Sequence, residues 1–271
     1  MQELKDYLKS NFKKQYTDET ILPTLYFKPK GKAEARILII GSEHGDKIHG
    51  TKAMIELMHR LKENPLEKTH FDFIPVIDTE GYPNNRTIIG NEGFGKPVYL
   101  DAGYSTNKMP EQIKELLEKI EPDYDFAIQL NTAFKEEQPL INGYYMIPQI
   151  KIDVNEDGKR KLNFNPRFKD LIGTLLNTLE EKNIQLQTES DKGYIGDGHV
   201  LVKPGLVFPG IEEHDAIELK TRNAFAMRCQ KKGVNSLELV TLAHKITNEP
   251  NNEIIRAHKV VLDSLIRFYE L

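Results

Sequence analysis

Arg36-Ile-Leu-Ile-Ile-Gly-Ser-Glu-His-Gly-Asp-Lys-Ile-His-Gly-Thr-Lys-Ala-Met-Ile-Glu-Leu-Met-His-Arg-Leu61 decides the fold. Ile37 to Ile40 form an unbroken aliphatic run, the pattern of a strand covered on both faces. Gly41 and Gly45 then punctuate a turn. Beyond it the period changes to that of a helix: Ala53, Leu57 and Leu61, with Met54 and Met58, make one apolar stripe. The polar cluster Ser42-Glu43-His44-Gly45-Asp46 therefore falls just past the carboxyl end of a buried strand. Open α/β sheets place their ligands at such ends.

Outward from this unit, strands and helices alternate. Residues 2–15 predict an amphipathic helix through Leu4, Leu8 and Phe12. Thr24 to Lys28, bracketed by Pro23 and Pro29, reads as a short edge strand. Strands are expected at 71–77 and 124–130, and a helix from Pro110 to about Ile120. The long segment 78–108 is rich in Gly, Asn and Pro, but Ile88, Ile89, Phe94, Val98 and Tyr99 argue that it packs. Strands at 150–154 and 160–164 flank Asn155-Glu-Asp-Gly158, a hairpin signal. A helix is expected over 168–179, short strands at 184–186, 199–202 and 216–220, and closing helices at 234–247 and 251–269. The alternation predicts one α/β domain over residues 1–271, a sheet between helix layers.

The 271 residues carry a net charge of −4, 39% hydrophobic and 29% charged residues. The pI is about 6.1. This balance favours neither nucleic acid nor an anionic membrane surface as a partner. No window approaches the roughly 20 apolar residues of a membrane span. The first residues, Met1-Gln-Glu-Leu-Lys-Asp-Tyr7, lack an apolar signal region. The single cysteine, Cys229, excludes an internal disulfide and reads as a buried, inert thiol. A cytoplasmic protein is expected.

Four stretches, in order, resemble the zinc carboxypeptidase superfamily, including its aspartoacylase and succinylglutamate desuccinylase branch. The family's Gly-x-x-His-Gly-x-Glu corresponds to Gly41-Ser-Glu-His44-Gly-Asp-Lys47, followed by Gly50 and a helix. Its strand running into Pro-x-x-Asn-Pro-Asp-Gly corresponds to Ile74-Pro-Val-Ile-Asp-Thr-Glu-Gly81, with Arg86 as the substrate-contacting arginine. Its strand ending in Asp-x-His corresponds to Gln129-Leu-Asn131. Its strand with a catalytic Glu, often Glu-Leu, corresponds to Ala216-Ile-Glu218-Leu. The resemblance spans roughly residues 35–245 and implies a three-layer sandwich with a mixed, about eight-stranded sheet.

The family pattern has a chemical reason. A catalytic zinc takes three protein ligands and leaves one position for water. A separate Glu moves the proton of that water to the leaving group, and an Arg stabilises the oxyanion or pairs with a substrate carboxylate. In this sequence His44 matches the first ligand, but Lys47 stands at the Glu position and Asn131 at the second His position. Asp101-Ala102 stands where many members carry the Asn-Arg that binds a terminal carboxylate. Glu218 and Arg86 match as catalytic residues. Tyr194, between Gly193 and Gly196, sits where the family often has a mobile tyrosine loop.

The resemblance with these departures implies a carboxypeptidase-like protein with a degenerate zinc site. It would bind a peptide or acyl amino acid through Lys47, Asn131 and Tyr194, with no cofactor. The alternative is an active metallocarboxypeptidase or amidoacyl deacylase holding zinc with an altered ligand set around His44, drawing on Asp46 or His49. His49 itself is expected to face solvent near the first helical turn, and His199 is a more remote candidate.

Overall fold

The computed structural model describes residues 2–17, 21–42, 45, 47–79, 81–82, 111–134, 144–148, 151–154, 160–163, 166–186, 199–203, 205–209, 229, 232–243 and 252–271. The deciding stretch folds as read. Its strand, β3 (Ala35–Ser42), leads into α2 (His49–Glu63), and the chain returns through β4 (Thr69–Val76). β3 pairs in parallel with β4 on one side and with β5 (Phe126–Phe134) on the other. Ile37 and Ile39 enter one buried cluster, Leu38 and Ile40 the other, so β3 is covered on both faces. Burying these four side chains is worth roughly 6–12 kcal/mol before the entropy of ordering them.

The remaining strands are β1 (Tyr16–Thr17), β2 (Thr24–Phe27), β6 (Tyr144–Pro148), β7 (Lys151–Val154), β8 (Arg160–Asn163), β9 (His199–Lys203), β10 (Leu206–Pro209) and β11 (Asn235–Ala243). Nine of the eleven described strands form one mixed sheet in the order β1-β2-β4-β3-β5-β11-β6-β10-β9. β7 and β8 pair separately and antiparallel, as the hairpin signal requires. The other helices are α1 (Gln2–Asn11), α3 (Glu111–Lys119), α4 (Pro166–Glu181) and α5 (Asn252–Glu270). Residues of α1, α2, α4 and α5 join the cluster on one face of the sheet; Leu116 of α3 joins the cluster on the other. The stripe Ala53, Met54, Leu57, Met58, Leu61 is buried throughout.

Three expectations are corrected. The stretch 234–247, expected to be helical, contains strand β11, parallel to β5 and antiparallel to β6. Its alternation is that of a strand: Leu237 and Leu239 enter the helix-side core, while Ser236, Glu238 and Val240 take the opposite parity. The 24–28 strand is not at the edge, because the two-residue β1 lies outside it. That short strand raises the described count to nine instead of about eight, along with β6 and β10, which the sequence reading did not single out. Residues 216–220 and 83–110 lie outside the described residues.

The order β4-β3-β5-β11 puts four parallel strands side by side. Their carboxyl ends, and the segments leaving them, therefore gather at one end of the sheet. Among the described residues, no helix is long and apolar enough to cross a membrane.

Candidate functional site

Two glycines let the site end of the sheet close up. A Cβ on Gly41, in β3, would stand 2.0 Å from the carbonyl oxygen of Pro75 in β4. A Cβ on Gly50, in the first turn of α2, would stand 2.7 Å from both Cβ and O of Leu130 in β5. Thr51 Oγ1 donates to Pro75 O at 2.5 Å, so that first turn is wedged against β4 and β5 together.

Asp78 ties the two neighbouring loops. It is fully buried. Its Oδ1 accepts from Gly81 N at 2.8 Å and its Oδ2 from Gly45 N at 3.3 Å. A buried carboxylate needs such donors. Here the donors are backbone amides of the β3–α2 loop and of the loop after β4. The sequence reading quoted Asp78 without giving it a role. Its spacing to Gly81, the reach of a side chain onto its own turn, was the available signal.

Asn131 lies inside β5, three residues before its end, and is 6% exposed. Its Nδ2 donates to Glu238 Oε1 on β11 at 2.9 Å, and its Oδ1 accepts from Thr132 N at 2.9 Å. Both ends of the amide are therefore engaged. Glu238 is half-buried and belongs to a Glu-Leu pair on a strand next to the Asn131 strand. That is the setting the resemblance gives its catalytic Glu. The resemblance assigns that role to Glu218, which lies outside the described residues, and the expectation of a helix over 234–247 left Glu238 without a role. Lys47 is half-buried, two residues before α2 begins.

The structure thus brings Asn131 together with Glu238, and holds Lys47 on the loop that Asp78 anchors at Gly45. His44, Arg86, Glu218 and Tyr194 lie outside the described residues, as does Asp46. His199 begins β9, at the sheet edge three places from β11. His49 is not solvent-facing as expected: it is 3% exposed. Burial pushes its pKa down to about 4, with Lys52 adding to the effect. Among the described residues, no three His, Cys, Asp or Glu side chains are grouped to hold a metal ion. Cys229 is fully buried, and burial pushes its thiol up to about 12, which makes it inert.

Solved structures similar to this chain include metallopeptidases and metallo-carboxypeptidases. A metallo-carboxypeptidase from Burkholderia cenocepacia superposes with a TM-score of 0.61 at 12% identity, over 98% of this chain and 68% of its own. The chain has a metallo-carboxypeptidase-like fold. Tripeptide-bound cell shape determinant Csd4 from Helicobacter pylori gives a TM-score of 0.55 at 13% identity, over 91% of this chain and 55% of its own. A Pseudomonas aeruginosa metallo-carboxypeptidase in complex with (2-guanidinoethylmercapto)succinic acid gives 0.55 at 14% identity, over 91% and 60%. The metallo-carboxypeptidase-like chain therefore spans little more than half the length of Csd4. No protein-family model matches the chain, and no curated protein does.

Proposed function

We propose that this chain is a single carboxypeptidase-like domain over 1–271, in the family's three-layer form, with a degenerate zinc site. It binds the carboxylate of a peptide or an acyl amino acid without a catalytic zinc. The hydrogen bond from Asn131 to Glu238 carries this reading. An amide at the third ligand position offers at most one neutral oxygen, and here that oxygen is taken by Thr132 N. At the second position, a charged Lys47 has no lone pair to give. The donor set at these two positions does not fit zinc.

What remains suits an anion. Lys47 supplies positive charge on the β3–α2 loop, and Arg86 is the proposed clamp for the ligand carboxylate, since Asp101-Ala102 replaces the family's Asn-Arg. Tyr194 is a proposed contact from the loop side, and His44 remains as an imidazole without its metal partners. Glu238, held by Asn131, is proposed for the carboxylate position first given to Glu218. The ligands bound in two of the similar structures, a tripeptide and a succinic acid derivative, are of the same chemical kind.

The test is elemental analysis of the purified full chain together with calorimetric titration of short peptides and N-acyl amino acids, each as free acid and as C-terminal amide. The expected result is no stoichiometric zinc and binding of the free acids alone. Stoichiometric zinc that is lost on His44→Ala would overturn the reading.

A further inference from the structure

The last paired positions of the β3–β4 ladder are Ser42 and Val76. Both segments then leave the sheet at the candidate-site end, and a side chain takes over the connection between them. Asp78, two residues past the end of β4, reaches Gly45, three residues past the end of β3 and 33 positions away in sequence. Its Oδ2 accepts from Gly45 N at 3.3 Å and its Oδ1 from Gly81 N at 2.8 Å. Its own carbonyl accepts from Tyr82 N at 3.0 Å, so backbone and side chain of Asp78 together fix the turn 78–82. Asp78, Gly45 and Gly81 are all buried.

Both of these partners of the carboxylate are N–H donors, and they come from two different loops. A carboxylate meets them with two acceptor oxygens. An amide has one oxygen, and in the same place it would turn its NH2 onto the other N–H. The family pattern Pro-x-x-Asn puts an amide at this position, and this chain has Asp78 there. The acid makes a second tie that the amide cannot make in this geometry.

Lys47 is bracketed by anchored residues. Gly45, two residues before it, is held by Asp78. Gly50 and Thr51, three and four residues after it, are seated on Leu130 and on Pro75 O. Two residues of chain reach at most about 7 Å, so fixing Gly45 and the first turn of α2 leaves the Lys47 backbone little freedom.

We infer, on the reading of Lys47 as a ligand contact, that Asp78 is a positioning residue: its buried carboxylate ties the β3–α2 loop to the segment after β4 and so holds Lys47 in place for the ligand carboxylate. A lysine on a fixed loop binds without the cost of ordering that loop. Without the tie the ligand must order the loop itself, and Lys47 then contributes less to affinity.

The experiment has two arms, both on the full chain. The first is amide hydrogen exchange without ligand. Asp78→Asn keeps its one oxygen on Gly81 N, the shorter and more local bond, so Gly45 N should exchange at least about tenfold faster, the size of one lost bond to a charged acceptor, while Ile37 to Ile40 hold. Unchanged exchange at Gly45 overturns the inference. The second is calorimetric titration of N-acetylalanine, as free acid and as C-terminal amide. Lys47→Gln should weaken binding of the free acid about tenfold in the unaltered chain, but less than about twofold in the Asp78→Asn background. An Asp78 that served stability alone would leave the two effects independent, so equal losses in both backgrounds overturn the inference. If the unaltered chain binds neither compound, the carboxylate reading of the site fails, and exchange at Gly45 alone decides whether Asp78 holds the loop. If Asp78→Asn does not fold, exchange in the unaltered chain decides: a Gly45 amide protected like that of Gly81 supports the tie, and an unprotected one overturns it.

Discussion

Asn131 and Glu238 stand 107 positions apart in sequence, yet their side chains meet at 2.9 Å across the β5–β11 pair. An amide here donates to a half-buried carboxylate on the neighbouring strand. Removing the donor leaves Glu238 short of a partner that helps hold its charge. A hydrogen bond to a charged group is worth about 1.5–3 kcal/mol, and partial exposure brings the expected loss for Asn131→Ala to about 1 kcal/mol. Urea denaturation of Asn131→Ala, Glu238→Ala and the double variant should show a coupling of at least about 0.5 kcal/mol. Strict additivity would mean the bond contributes nothing.

The ligand positions can be rebuilt. A cation about 4 Å from a zinc ion in a partly buried site costs on the order of 4 kcal/mol per unit charge, so Lys47 opposes the metal more than any neutral residue would. Lys47→Glu combined with Asn131→His is expected to create zinc affinity measurable by competition with a chelating dye. Either change alone is not. Tight zinc binding by Lys47→Glu alone would show that Asn131 is no obstacle.

Two helical glycines should respond oppositely to alanine. At Gly50 a methyl group meets Leu130 at 2.7 Å, backbone included, and overpacking of this kind costs about 1–3 kcal/mol. At Gly173 of α4 nothing lies within 4 Å, so Gly173→Ala gains about 0.5–1 kcal/mol from helix propensity. Thermal midpoints should therefore fall for Gly50→Ala and rise for Gly173→Ala. A rise for both would mean that α2 does not pack on β5 as described.

Arg36 and Asp72 should dominate the acid sensitivity at the far end of the sheet. Arg36 Nε and Nη2 bond Asp72 Oδ2 at 3.0 and 2.7 Å, and Tyr124 OH donates to the same oxygen at 2.6 Å. Burial alone would raise the Asp72 pKa, but the contacts with His70 and Tyr124 and the Arg36 charge outweigh it and lower the value. A lowered carboxylate pKa gives stability that is present above the unfolded value of about 4 and lost as pH falls through the folded one. Asp72→Asn should cost about 1.5–3 kcal/mol at pH 7, since it removes the buried charge that Arg36 and Tyr124 bond while Arg36 keeps Glu121 and Asp123, and should flatten the stability profile below pH 4. An unchanged profile there would assign the acid loss to other carboxylates.

Much of the fold was legible because it rests on local pattern. The run Ile37 to Ile40 and the stripe from Ala53 to Leu61 admit one reading each, and both elements formed as read. Asn131 was expected just past a strand over 124–130, but β5 runs on through it to Phe134. Asn235 to Ala243 was not legible: its nine residues hold apolar side chains at spacings that serve a helix or a strand equally well. Missing it hid Glu238. His49 was misread as solvent-facing because its place at the first turn of α2 does not say what packs over it; it is 3% exposed.

The sequence by itself determined that an α/β sheet carries a polar turn at the end of a buried strand, and its resemblance to the zinc carboxypeptidases implies that Lys47 and Asn131 correspond to metal-ligand positions. Side-chain period and residue identity are enough for that. Tertiary structure alone decided that β11 is a strand, that Glu238 partners Asn131, and that His49 and His258 are buried. A strand exists only when neighbours satisfy its backbone, and β11 takes those neighbours from β5 and β6, distant in the chain. Burial of a ring such as His258 is likewise a property of the helices and strands that close around it, not of its own surroundings in sequence.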